Sequence, residues 1–130
     1  MRSGAQETGV AITKVHGVLL VTMQPDLDTA QMQQLTGLLG ERVTEDKPSA
    51  VVLDFSTVSL LSLSEYQRIQ AMLLSLRLLG PRVAISSLCS EIVIYMAEMN
   101  ANCSEIQFFL NLDDALQALA PIGGRRHGHR

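Results

Sequence analysis

The segment Ala50-Val51-Val52-Leu53-Asp54-Phe55 is apolar at every position but one. It is bounded by the polar, Pro48-containing stretch from Thr44 to Ser49 and by Ser56. A run of strand length that is apolar on both faces belongs in the middle of a sheet with helices packed against it. The flanking sequence supplies those helices. Upstream, Leu27, Met32, Leu35, Leu38 and Leu39 recur at helical spacing, on a helix that Asp26 or Asp28 can cap and that ends near Val43. Gly37 and Gly40 weaken it. Downstream, a second helix spans about Ser62 to Leu79 and is stopped by Gly80-Pro81. Ile69, Met72, Leu73, Leu76 and Leu79 mark its buried face, with Arg68 and Gln70 outward.

Ile12 to Met23 holds two short β-rich runs hinged at His16-Gly17, the pattern of a hairpin. Beyond the second helix, Arg82 to Ile85 reads as a strand, Ser90 can cap a third helix through Met99, and Ile106 to Leu110 is a last short strand. Asn111 or Asp113 opens a terminal helix over Leu112 to Leu119. Strands alternating with helices define an α/β sheet protein. Residues 1–10 are expected to form a loose leader, 11–120 the domain, and the Gly/Arg/His-rich 121–130 a disordered tail.

Composition narrows the function classes. The 130 residues fit one domain, and with 47% apolar and 18% charged residues the chain is too hydrophobic to be disordered. Without Trp, and with three Phe and two Tyr, its core must be aliphatic. A net charge of −3 argues against nucleic acid as a partner, because phosphate binding depends on clustered Lys and Arg. The longest apolar stretches are broken by Arg68, Arg77 or Glu91, short of the roughly 20 residues that a membrane span needs, so no membrane association and a cytoplasmic location are expected. Cys89 and Cys103 lack paired C-x-x-C spacing and read as reduced, buried thiols.

Catalysis has little to work with. Phosphate-binding loops, dinucleotide fingerprints and nucleophile elbows are all missing from the sequence. His16 lies at the hairpin, and His127 and His129 lie among arginines in the tail, an incomplete and electrostatically poor metal pair. No catalytic residue, cofactor or metal site is expected, and the protein is expected not to be an enzyme. Two features remain. Asp54 ends the buried strand, where it can brace a loop or take part in a site. Ser62 and Glu65 fit a capping box at the start of the second helix, a position that also tolerates phosphate.

The stretch Val51-Val52-Leu53-Asp54-Phe55-Ser56-Thr57-Val58 followed by Ser59-Leu60-Leu61-Ser62 resembles the signature segment of STAS domains, the anti-sigma-factor antagonists. Leu19 to Gln24 with Leu27-Asp28, and Leu78-Leu79-Gly80-Pro81-Arg82-Val83-Ala84-Ile85, resemble the corresponding segments of RsbS-type stressosome scaffold proteins. The resemblance runs from about Ile12 to Leu119. It implies a single STAS-like domain, a mixed four- to five-stranded sheet flanked by about four helices, acting in partner switching without enzymatic activity. The implied partners are a serine kinase or anti-sigma factor, related STAS proteins, and copies of the chain itself. The partner-binding residues would be Asp54, Ser59, Ser62, Leu63, Ser64 and Glu65. By this alignment Ser62 replaces the family's Asp and Leu63 replaces its phosphoacceptor Ser, leaving Ser62 and Ser64 as candidate acceptors. The alternative functions are a STAS module that senses a small apolar or lipid ligand, and a small α/β enzyme.

Overall fold

The computed structural model describes residues 10–98 and 105–121, with the side chains of 95–98 left aside. The expected leader up to residue 9, Cys103 and the tail with His127 and His129 lie outside the described residues. Val10 is buried and joins the core.

The chain forms β1 (Ala11–Val15), β2 (Val18–Thr22), α1 (Thr29–Asp46), β3 (Ala50–Asp54), α2 (Leu63–Leu78), β4 (Arg82–Ser86), α3 (Ser90–Glu98), β5 (Ile106–Phe109) and α4 (Leu112–Leu119). The expected hairpin is present. His16 and Gly17 take φ of 51° and 80°, the left-handed pair that a two-residue turn between antiparallel strands requires. From β2 onward all pairings are parallel, and the sheet order is β1-β2-β3-β4-β5. The sheet is therefore mixed, with β3 at its centre and every residue of β3 buried.

Period-two alternation divides the core. Leu19, Val21, Val51, Leu53, Val83 and Ile85 face α1, α2 and α3. Val18, Ala50, Val52 and Ala84 face α4 through Ala115 and Leu119. Three successive crossovers stepping in one direction place their helices on one face when each has the usual right hand.

Both long helices start on capping boxes. Asp28, not Asp26, caps α1: Asp28 Oδ1 accepts from the Gln31 amide at 2.8 Å, and Gln31 Oε1 accepts from the Asp28 amide at 2.9 Å. Asp26 stands in the preceding turn at φ 64°. The helix runs past Val43 to Asp46 and closes on left-handed Lys47.

Several sequence expectations are corrected by position. Leu79 lies beyond the end of α2 and is 55% exposed, while Tyr66, one turn from the start, is buried. Ser90 does not cap α3; it lies within the helix, and Cys89 supplies the first carbonyl, accepting from the Val93 amide at 3.1 Å. Cys89 is a free thiol but half-buried, because it sits in the loop above the sheet edge.

Candidate functional site

Strands β2, β3 and β4 run parallel, so their carboxyl ends and the following loops share one edge of the sheet, the place where parallel sheets form binding sites. Asp54 closes β3 there, in register with Ser86 of β4. Asp54 is 6% exposed and Ser86 is fully buried. The Ser86 hydroxyl donates to Asp54 Oδ1 at 2.8 Å, the Ser56 hydroxyl to Oδ2 at 2.7 Å, and the Ser56 amide to Oδ2 at 3.4 Å. Burial pushes the Asp54 carboxyl upward, but hydrogen bonds from the side chains of Ser87, Ser56 and Ser86 and from the Ser56 backbone outweigh it. The carboxyl is held below the ordinary carboxylate range. Asp54 therefore stays ionised and serves as a brace under the loop.

The loop Ser56 to Leu61 is tied down along its length. The Thr57 hydroxyl donates to the Met23 carbonyl at 3.0 Å, linking it to the loop after β2, and the Val58 amide donates to Phe55 O at 3.0 Å. Val58 is buried, whereas Leu60 stands 84% exposed at the tip. The Cys89 thiol lies 3.8 Å from the Ser59 carbonyl, a weak bond from the loop after β4. The depression framed by Met23, Pro25, Leu27, Phe55, Leu61 and Ile69 has a volume of about 30 Å³.

At the start of α2 the capping box is complete. Ser62 Oγ accepts from the Glu65 amide at 3.1 Å, and Glu65 Oε1 accepts from the Ser62 amide at 2.8 Å. The Ser62 and Ser64 hydroxyls are 3.2 Å apart and both residues are exposed. Between them Leu63 turns the other way, half-buried against the main core, as does Leu61 just before the cap. The structure thus brings Ser59, Ser62, Leu63, Ser64 and Glu65 together on one edge, with Asp54 below them. Ser56, Ser86, Ser87 and Cys89, which the sequence did not single out for this site, complete the arrangement. Serines closing the next strand are visible in the sequence, but the register that places Ser86 opposite Asp54 is not.

Among the described residues no group of three His, Cys, Asp or Glu side chains is arranged to hold a metal ion. No helix among them is long and apolar enough to cross a membrane.

The family model for the STAS domain matches residues 10–115. The chain belongs to the STAS domain family. Three solved structures share its STAS fold. A variant of RsbS from Moorella thermoacetica superposes with a TM-score of 0.72 at 22% identity, covering 85% of this chain and 93% of that one. A chain from a structure titled for the molecular architecture of the stressosome, a signal integration and transduction hub, gives 0.68 at 20% identity, with 92% and 99% covered. A candidate anti-sigma factor antagonist from Thermotoga maritima gives 0.67 at 13% identity, with 90% and 99% covered. No curated protein matches this STAS chain.

Proposed function

We propose that this STAS domain is a non-enzymatic protein–protein interaction module of the anti-sigma-factor-antagonist or stressosome type, working in a cytoplasmic partner-switching pathway. Its docking surface is formed by Ser59, Ser62, Leu63, Ser64 and Glu65, held from beneath by Asp54. Its partners are a serine kinase or anti-sigma factor, related STAS proteins and copies of itself. The RsbS, stressosome and antagonist neighbours support this class of partner. A ligand sensor would need an enclosed cavity of some hundreds of Å³; the depression beside the loop holds about 30 Å³, and the larger space between α1 and α2, about 340 Å³ beside Met32, Thr36, Arg68 and Met72, is an open groove.

The observation that carries the reading is the start of α2. In a partner-switching domain a phosphate of about −1.5 to −2 charge, added at this edge, disrupts a contact built for a neutral hydroxyl. Here the aligned acceptor position is Leu63, an aliphatic side chain packed against the core. Moving the hydroxyl by one residue along a helix rotates it by about 100° about the axis, away from where a kinase delivers its γ-phosphate. Ser62 is further restrained, because a phosphate on its oxygen would face the Glu65 carboxylate that already holds the Ser62 amide. The domain is therefore a constitutively unphosphorylated member of its assembly. Incubation with the cognate kinase and ATP, followed by mass spectrometric mapping, should find phosphate only on a Leu63→Ser variant. Stoichiometric phosphate on Ser62 or Ser64 of the unmodified chain would sink the reading.

A further inference from the structure

Asp54 and Ser86, two polar side chains buried among the described residues, lie directly beneath the docking loop, and the bonds around them join two separate connections. Through Oδ2, Asp54 holds Ser56 at the root of the β3–α2 loop. Through Oδ1 it holds Ser86, the last residue of β4. Ser87 follows at φ 67° and donates its amide to Phe109 O at 3.1 Å. The Phe55 amide donates to Ser86 O at 2.9 Å. At the other end of the loop, Cys89 contacts the Ser59 carbonyl. The docking loop is thus attached at root and tip to the same short connection, Ser86 to Cys89, which leads directly into α3.

We propose that Asp54 is a positioning residue that locks the β3–α2 loop and the β4–α3 connection into one mechanical unit, so that loosening one loosens the other. The carboxylate suits the role because one charged group accepts from both sides, and bonds to a charged acceptor are the stronger kind. The biological meaning rests on the docking reading above. The coupling itself is measured without a partner, so the two can fail separately.

The test uses the full chain carrying Cys103→Ser, leaving Cys89 as the one thiol. Two rates are read under native conditions: alkylation of Cys89 by iodoacetamide, and hydrogen exchange of the backbone amides from Ser56 to Leu61. Loss of one charge-assisted bond should raise both rates about tenfold in Ser86→Ala and in Asp54→Asn. The double variant should go little further, because both changes cut the same link. Val52→Ala, a core truncation in the same strand, controls for general loosening and should leave both rates unchanged. Unchanged rates in Ser86→Ala, or an equal rise in Val52→Ala, would overturn the proposal. Ser86→Ala decides alone if Asp54→Asn does not fold.

Discussion

The Asp54 carboxylate is ionised at a place where burial alone would favour its neutral form, because serine hydroxyls and one amide converge on it. A group whose pKa is lower folded than unfolded stabilises the fold fully above its unfolded value. That contribution is lost as pH falls through the folded value. For Asp54 the loss should therefore appear below about pH 3.9, the ordinary carboxylate value. Asp54→Asn should be destabilised by a constant amount near neutrality, since an amide nitrogen cannot accept from a serine. The gap to the unmodified protein should then narrow as both are acidified below that point. Urea titrations at a series of pH values would show it, and a gap that stays constant to pH 2 would contradict an ionised brace. Leu63 makes the complementary point at the same scale, since one aliphatic side chain between two exposed serines directs apolar surface inward.

Among the elements, α1 stands on weak intrinsic propensity and strong ends. Gly37 and Gly40 interrupt it, and the Thr36 and Thr44 hydroxyls bond back to the carbonyls of Met32 and Gly40. The Asp28–Gln31 box, left-handed Lys47 and the buried Met32, Leu35, Leu39 and Val43 hold it. A Cβ added at Gly37 or Gly40 would meet nothing within 4 Å. Gly37→Ala and Gly40→Ala should each raise stability by about 0.5–1 kcal/mol, read as a higher urea midpoint with unchanged slope. A lower midpoint would mean that the helix depends on the missing side chains. Much of this level was legible in the sequence because its rules are local. A left-handed pair at His16-Gly17, a Ser62–Glu65 box and a β3 apolar up to its closing Asp54 depend on neighbours within a few residues. The failures were non-local. Leu79 continues the apolar stripe of α2, but the chain leaves the helix there; Cys89, not Ser90, supplies the first carbonyl of α3; and Ser86, which completes the Asp54 brace, comes from a strand whose register no local pattern encodes.

For the molecule as a whole, the exposed apolar side chains are distributed toward association. Leu60 stands at the carboxyl edge, whereas Leu78, 87% exposed, and Leu79 lie at the far end of α2. With 18% charged residues and a net charge of −3, repulsion between copies is weak. Light scattering at micromolar concentration should find a species larger than the monomer, alone or with a related STAS protein; a monomer in both cases would defeat self-association through these surfaces. The strictly sequential strand order has a consequence for the route by which such a chain reaches its native state. The bond between β3 and β4 from Ser86 to Asp54 spans 32 residues, whereas the Ser49 hydroxyl reaches across 70 to the Leu119 carbonyl. Closing the longer segment costs more chain entropy, by only the logarithm of its length. The successive strand–helix–strand units can therefore assemble as near neighbours. The seating of α4 on the second face of the sheet then joins the last helix to the root of β3, through the Ser49 hydroxyl and through Ala50 and Val52.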